Sequence, residues 1–194
     1  FKTSESKLFH QGSPKMAGGN EPNDKWGSVL EAGDFDGDGF HDLAIGTPNE
    51  SIGSILEAGA VTFAYGSKTG LDGRGSRLFH QNTSRVPGGS EFADHWGDSI
   101  MSADLNADGR SDVLVSSSAE SVGTTYDTGF MVLLKGSYSG ITSYGAKGIH
   151  QNSYNIPGSN RNGDYWGRLG ADSWVDSYRP PKGVATPSGV NVML

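Results

Sequence analysis

The chain has 194 residues, a formal charge of −7 and no cysteine, which excludes a disulfide framework and any thiolate metal site. With 34% hydrophobic residues and 30 glycines it describes many short elements joined by turns, not a helical bundle. An acidic chain without a basic patch does not suit nucleic acid, and no apolar run is long enough to span a bilayer.

Read in order, the chain repeats itself. Trp26-Gly27, Trp96-Gly97 and Trp166-Gly167 stand seventy residues apart, and Phe9-His10-Gln11, Phe79-His80-Gln81 and Ile149-His150-Gln151 keep nearly the same interval. Such a period announces one supersecondary unit written three times. In the first copy, strands are expected over Trp26 to Asp34, His41 to Thr47, Ala60 to Tyr65 and Arg77 to Gln81. The second repeats the order at 96–104, 111–117, 130–136 and 148–151. These runs are rich in Val, Ile, Phe and Tyr and are bounded by Gly, Asn, Asp and Ser. Four short strands per unit is the grammar of a β-propeller blade, whose sheet must stack on its neighbours to bury both faces.

The expected fold is therefore all-β, with three four-stranded blades' worth per chain. Its parts are a closing strand over 1–11, blade repeats over 12–81 and 82–151, and a degenerate, truncated repeat over 152–194. Three blades are too few to close a ring. Because the opening "KLFHQ" reads as a closing strand and the final "GVNVML" as a third strand, a homodimer forming a six-bladed ring is expected, or else a piece of a longer propeller. No basic start followed by a hydrophobic run suggests a signal peptide within the chain.

Two acidic nonapeptides carry the chemistry. Oxygen donors at positions one, three, five and nine are Asp34, Asp36, Asp38 and Asp42 in the first, and Asp104, Asn106, Asp108 and Asp112 in the second. Position seven, Phe40 or Arg110, would give its backbone carbonyl, while Gly39 and Gly109 permit the turn. An all-oxygen shell suits Ca²⁺, two per chain, and better than magnesium, which demands a smaller octahedral site. An EF-hand would need a bidentate glutamate at position twelve, where Ile45 and Val115 stand instead. Solvated Asp-Gly turns are the bland alternative, against which the two loops stand in register with every donor position filled. Their seven aspartates equal the whole formal charge, so bound cations would relieve carboxylate crowding and stabilise the fold. In the third copy the equivalent positions are Trp174, Asp176, Tyr178 and Lys182, and no ion is expected there.

The aromatic-Gly pair, the "DxDxDGxxD" loop, Gly46-Thr47-Pro48 and the "GAVTFAYGS" strand resemble the FG-GAP repeats of integrin α-subunit propellers and of bacterial extracellular proteins. The second copy replaces Gly-x-Pro by Ser116-Ser117-Ser118, and the third keeps Trp166-Gly167 and Ala185-Thr186-Pro187 without the acidic loop. The resemblance implies a propeller with calcium loops between first and second strands, used for extracellular recognition or adhesion.

The three tryptophans are expected to pack between blades rather than stack on sugars. His10, His80 and His150 would fall in separate blades and so cannot form one metal site, while His41 and His95 lack a partner pattern. No zinc-protease helix, nucleophile elbow or phosphate loop is present, although a carboxylate pair could assemble from Glu31, Glu57, Glu91 or Glu120. Asn49-Glu50-Ser51 and Asn82-Thr83-Ser84 match the glycosylation acceptor pattern. The expected function is a secreted, calcium-stabilised, non-catalytic binding or adhesion module for an extracellular protein or glycan. Its alternatives are a calcium-dependent lectin and an accessory domain of a secreted hydrolase.

Overall fold

The computed structural model describes residues 6–168. Eight strands are present among them: β1 (Val29–Gly33), β2 (Asp42–Thr47), β3 (Ala60–Ala64), β4 (Arg77–Phe79), β5 (Ser99–Ala103), β6 (Asp112–Ser117), β7 (Phe130–Lys135) and β8 (Thr142–Ile149). They form two antiparallel four-stranded sheets with orders β1-β2-β3-β4 and β5-β6-β7-β8. The described residues thus hold two sheets and not three, and most of the expected third repeat, including its proline loop, lies outside them.

Three boundaries differ from the sequence reading. Residues 7–11 are not in a strand: the third strands β3 and β7, with which a closing strand would pair, already have β4 and β8 as partners. The first strand of each unit starts three residues after its tryptophan, because Gly27 and Gly97 take left-handed φ values of 84° and 91° inside a turn. β8 starts at Thr142 rather than at Gly148, since "TSYGAK" pairs with β7 across an irregularity at Leu133/Lys135 without any apolar alternation to announce it.

One core cluster joins both sheets, from Phe35, Phe63 and Phe79 of the first unit to Val113, Val115 and Val132 of the second. Phe63 meets Phe35 and Phe79 edge-on, with ring centroids 5.7 and 5.5 Å away. β3 is buried at all five positions. One side of it is covered by the segment after Gln11, whose Ala17 carbonyl accepts from Thr62 Oγ1 and whose Ala17 N–H reaches Ser76 Oγ.

The joint between units is built from backbone. N–H groups of Ala93, His95 and Trp96 donate to the carbonyls of Leu56, Glu57 and Ala58 at 3.2, 3.1 and 3.0 Å. Gly163, Tyr165 and Trp166 repeat the pattern on Tyr126, Asp127 and Thr128. Trp96 is fully buried in this joint, as expected, whereas Trp26 and Trp166 are half-buried. The contact is so close that a Cβ on Gly59 would lie 2.3 Å from both Trp96 N and Trp96 O, and one on Gly129 would lie 2.0 Å from Trp166 O.

A second repeated tie explains the His-Gln pairs. Gln11 Nε2 donates to Glu50 Oε2 at 2.6 Å, and Gln81 Nε2 donates to Glu120 Oε2 at 2.5 Å, all four side chains being buried. His10, His80 and His150 take a structural place, each donating its backbone N–H to a Ser or Thr hydroxyl oxygen three residues on. Burial lifts Glu50 to about 7 and Glu120 to about 8, the latter helped by the Asp94 carboxylate. A protonated Glu120 gains a donor, and Gln81 Oε1 is a buried acceptor with none facing it.

Gly59→Ala should cost more than about 3 kcal/mol in urea unfolding, because the methyl group meets backbone that cannot yield. Gly53→Ala, also at positive φ but with open space around it, should cost only about 1 kcal/mol. For the acid pair, the folded chain keeps a proton on Glu120 that the unfolded chain, with an ordinary value of 4.5, releases. That stability is complete below about 4.5 and is lost as pH rises through about 8. Unfolding free energy at fixed divalent-ion concentration should therefore fall by on the order of 2 kcal/mol from pH 5 to 9, and Glu120→Gln should flatten the curve.

Candidate metal centre

The acidic loops connect the first two strands of each sheet, at the end where Gly33 pairs with Asp42 and Ala103 with Asp112. In the first loop Asp34 Oδ1 accepts the Gly37 N–H and Oδ2 the Gly39 N–H, at 2.7 and 3.0 Å, which curls the chain over its own first carboxylate. Asp36 Oδ1 accepts the Asp38 N–H and Asp38 Oδ1 the Phe40 N–H. Asp42 is buried at the base of the loop, where its two oxygens take the N–H groups of Phe35 and Gly66, each at 2.7 Å.

Oxygens of Asp34, Asp36 and Asp42 converge to within 4.8 Å of one another, so this cluster could hold a metal ion. Asp38 stands outside the three but beside Asp36, whose pKa is raised by burial first and then by the carboxylates of Asp38 and Asp34. Burial is also the main cause that lifts Asp42 to about 6. Three half-buried or buried acids facing one point, with no cationic ion-pair partner among the described residues, have the donor chemistry of a hard-cation site.

The second loop repeats the turn with a looser hold. Asp104 Oδ1 and Oδ2 accept the N–H groups of Asp108 and Gly109, Asn106 Oδ1 also accepts from Asp108, and Asp112 Oδ1 accepts from Gly136. Asp108 faces a competitor, because Arg110 Nη2 lies 3.1 Å from its Oδ2 while the guanidinium stacks on Tyr138 at 4.1 Å. Asp104, Asn106 and Asp108 are all exposed. At position two, Phe35 is fully buried but Leu105 is 61% exposed. The difference comes from the neighbouring sheet: Ser111 N–H donates to Asp34 O and Ser137 N–H to Phe35 O, which braces the first loop from outside.

The glutamates considered for a carboxylate pair are dispersed. Glu31 Oε1 takes the N–H and hydroxyl of Ser102 across the sheets, Glu120 belongs to the Gln81 tie, and Glu91 gives its N–H to Asp94. Glu57 alone of these lines a cleft, with His95 and Asp98. The Gln–Glu ties were not read from the sequence, although Gln11 and Gln81, and Glu50 and Glu120, also stand seventy residues apart.

Two segments of the chain, residues 26–63 and 96–130, match the FG-GAP repeat. No curated relative matches the chain. Each matched segment opens at a Trp-Gly pair, contains one acidic loop and reaches into the third strand of its sheet, so the two sheets are consistent with two FG-GAP propeller blades. Residues 26–63 and 96–130 of the chain are two FG-GAP repeats.

Proposed function

We propose that this chain is a calcium-stabilised propeller segment that serves as a secreted, non-catalytic binding module. The observation that carries the reading is the convergence of Asp34, Asp36 and Asp42 in one loop of an FG-GAP repeat. Ca²⁺ would be held there by those carboxylates, with Asp38 and the Phe40 carbonyl completing an oxygen shell. It would supply charge neutralisation and cross-link the loop, with no chemistry of its own. The second ion would lie among Asp104, Asn106, Asp108, the Arg110 carbonyl and Asp112, more weakly because Arg110 already engages Asp108. Extracellular modules work with calcium dissociation constants of about 10⁻⁴–10⁻³ M, which suits loops as open as the second. A partner-binding role is favoured over catalysis by the scatter of the glutamates through structural ties.

Thermal unfolding tests this directly. Moving from chelator to millimolar Ca²⁺ should raise Tm by about 3–6 °C, the shift expected when a ligand at about tenfold excess over its Kd stabilises a domain of this size. Asp36→Ala should abolish most of that shift, and Asn106→Ala a smaller part. Coincident melting curves with and without Ca²⁺ would make the loops ordinary turns.

A further inference from the structure

We infer that the cleft at the end of the sheets opposite the acidic loops is a binding site for a neutral, hydroxyl-rich ligand the size of one or two pyranose rings. The inference rests on the binding-module reading and adds to it a place and a ligand class. The cavity measures about 420 Å³, and its polar walls are Lys25, Glu57, His95, Asp98, Tyr165 and Arg168. It lies beyond the ends of the strands where Val29 pairs with Gly46, with Pro48 and Ala119 as its apolar surfaces.

Three repeats meet here in register. Lys25, His95 and Tyr165 are seventy residues apart, each directly before a Trp-Gly pair, and each is held at a left-handed φ, of 59°, 55° and 47°. Such a conformation is unfavourable for a non-glycine residue and persists only where the surroundings enforce it. At His95 and Tyr165 the joint imposes it, through His95 N–H on Glu57 O and Tyr165 N–H on Asp127 O. A fixed backbone thus presents an ammonium, an imidazole and a phenol to one space. Constant scaffold with varied side chains is how recognition surfaces are made.

Charge decides the ligand class. Two cations, Lys25 and Arg168, are matched by two carboxylates, Glu57 and Asp98, so the walls give an ion little net attraction. Both carboxylates are already engaged within the wall. His95 Nε2 lies 3.7 Å from Glu57 Oε2, and Ser118 donates its N–H and hydroxyl to Asp98 Oδ2, while Asp98 Oδ1 has no partner. Hydroxyl groups suit such a mixture, since each donates to a carboxylate and accepts from a cation without a change of protonation. Tyr165, 42% exposed, offers a ring against which the C–H face of a sugar can lie.

The test uses the full chain in Ca²⁺ and saturation-transfer NMR with the methyl glycosides of glucose, galactose, mannose and N-acetylglucosamine. N-acetylneuraminic acid and glycine serve as charged comparators. At least one methyl glycoside should bind saturably. Tyr165→Ala should weaken it about tenfold or more, Tyr165→Phe should retain it, and Tyr144→Ala, at an exposed ring on β8, should leave it unchanged. The proposal is overturned if no methyl glycoside binds the folded, calcium-loaded protein, if only the charged comparators bind, or if Tyr165→Ala and Tyr144→Ala behave alike. p-Nitrophenyl glycosides separate the two readings: nitrophenolate release that Tyr165→Ala abolishes would uphold the site while ending the non-catalytic assignment.

Discussion

The structure depends on one backbone contact, the seating of a Trp-Gly segment against the glycine that precedes a neighbouring third strand. Neither sheet could bury both faces by itself. The Gly59–Trp96 seat closes that gap, bringing the carbonyls of Glu57 and Ala58 to the N–H groups of His95 and Trp96 while the indole fills the space between units. Only glycine permits so close an approach, and Gly46 and Gly97 serve the same contact, with a Cβ on Gly46 falling 2.3 Å from Gly97 O. The same seat at Gly129 receives the opening of the third copy. The seventy-residue period is the distance along the chain from one seat to the next.

Seating fixes a division of labour between the two ends of each sheet. At one end the joint turns His95 and Tyr165 outward on left-handed backbone, a conformation that Lys25 shares, which makes a variable rim. At the other end, the antiparallel return from β1 to β2 makes the acidic loops, whose backbone bonds are satisfied by the aspartates themselves. The second unit braces the first loop through Ser111 and Ser137, so stacking and metal-site order are one event for Asp34, Asp36 and Asp42. No equivalent brace reaches the second loop among the described residues, and its carboxylates are correspondingly exposed.

Much of this was legible in the sequence because the repeat makes each residue report twice. Asp34 and Asp104, or Trp26 and Trp96, announce a role together that neither would alone, and strands dense in Val and Phe, such as β3 and β7, were placed within a residue or two. The strand starts were misplaced where a left-handed glycine interrupts an apolar run, at Gly27 and Gly97, and where pairing occurs without alternation, at Thr142 to Lys147. The segment 7–11 resembles β4 in sequence, yet strand formation needs a ladder partner and composition does not supply one. The cleft was invisible because its residues share no chemistry: Lys25, His95 and Tyr165 are alike only in backbone conformation, which a one-letter code does not record.

The Gln–Glu ties show why an acidic chain can afford buried carboxyls at all. Glu50 and Glu120 sit in the turns after β2 and β6, the same strands that begin with Asp42 and Asp112. Each of these strands therefore carries a buried acid at both ends, one tied to a glutamine and one at the base of an acidic loop. The two acids are neutralised differently. The glutamate keeps a proton, which the low local polarity favours and which the facing amide can accept as a hydrogen bond. The aspartate instead takes backbone N–H groups and, in the proposed assembly, shares a cation with its loop. Because proton and cation would act on opposite ends of one strand, each unit can bury these three side chains, two acids and the glutamine that ties one of them, with each acid partnered.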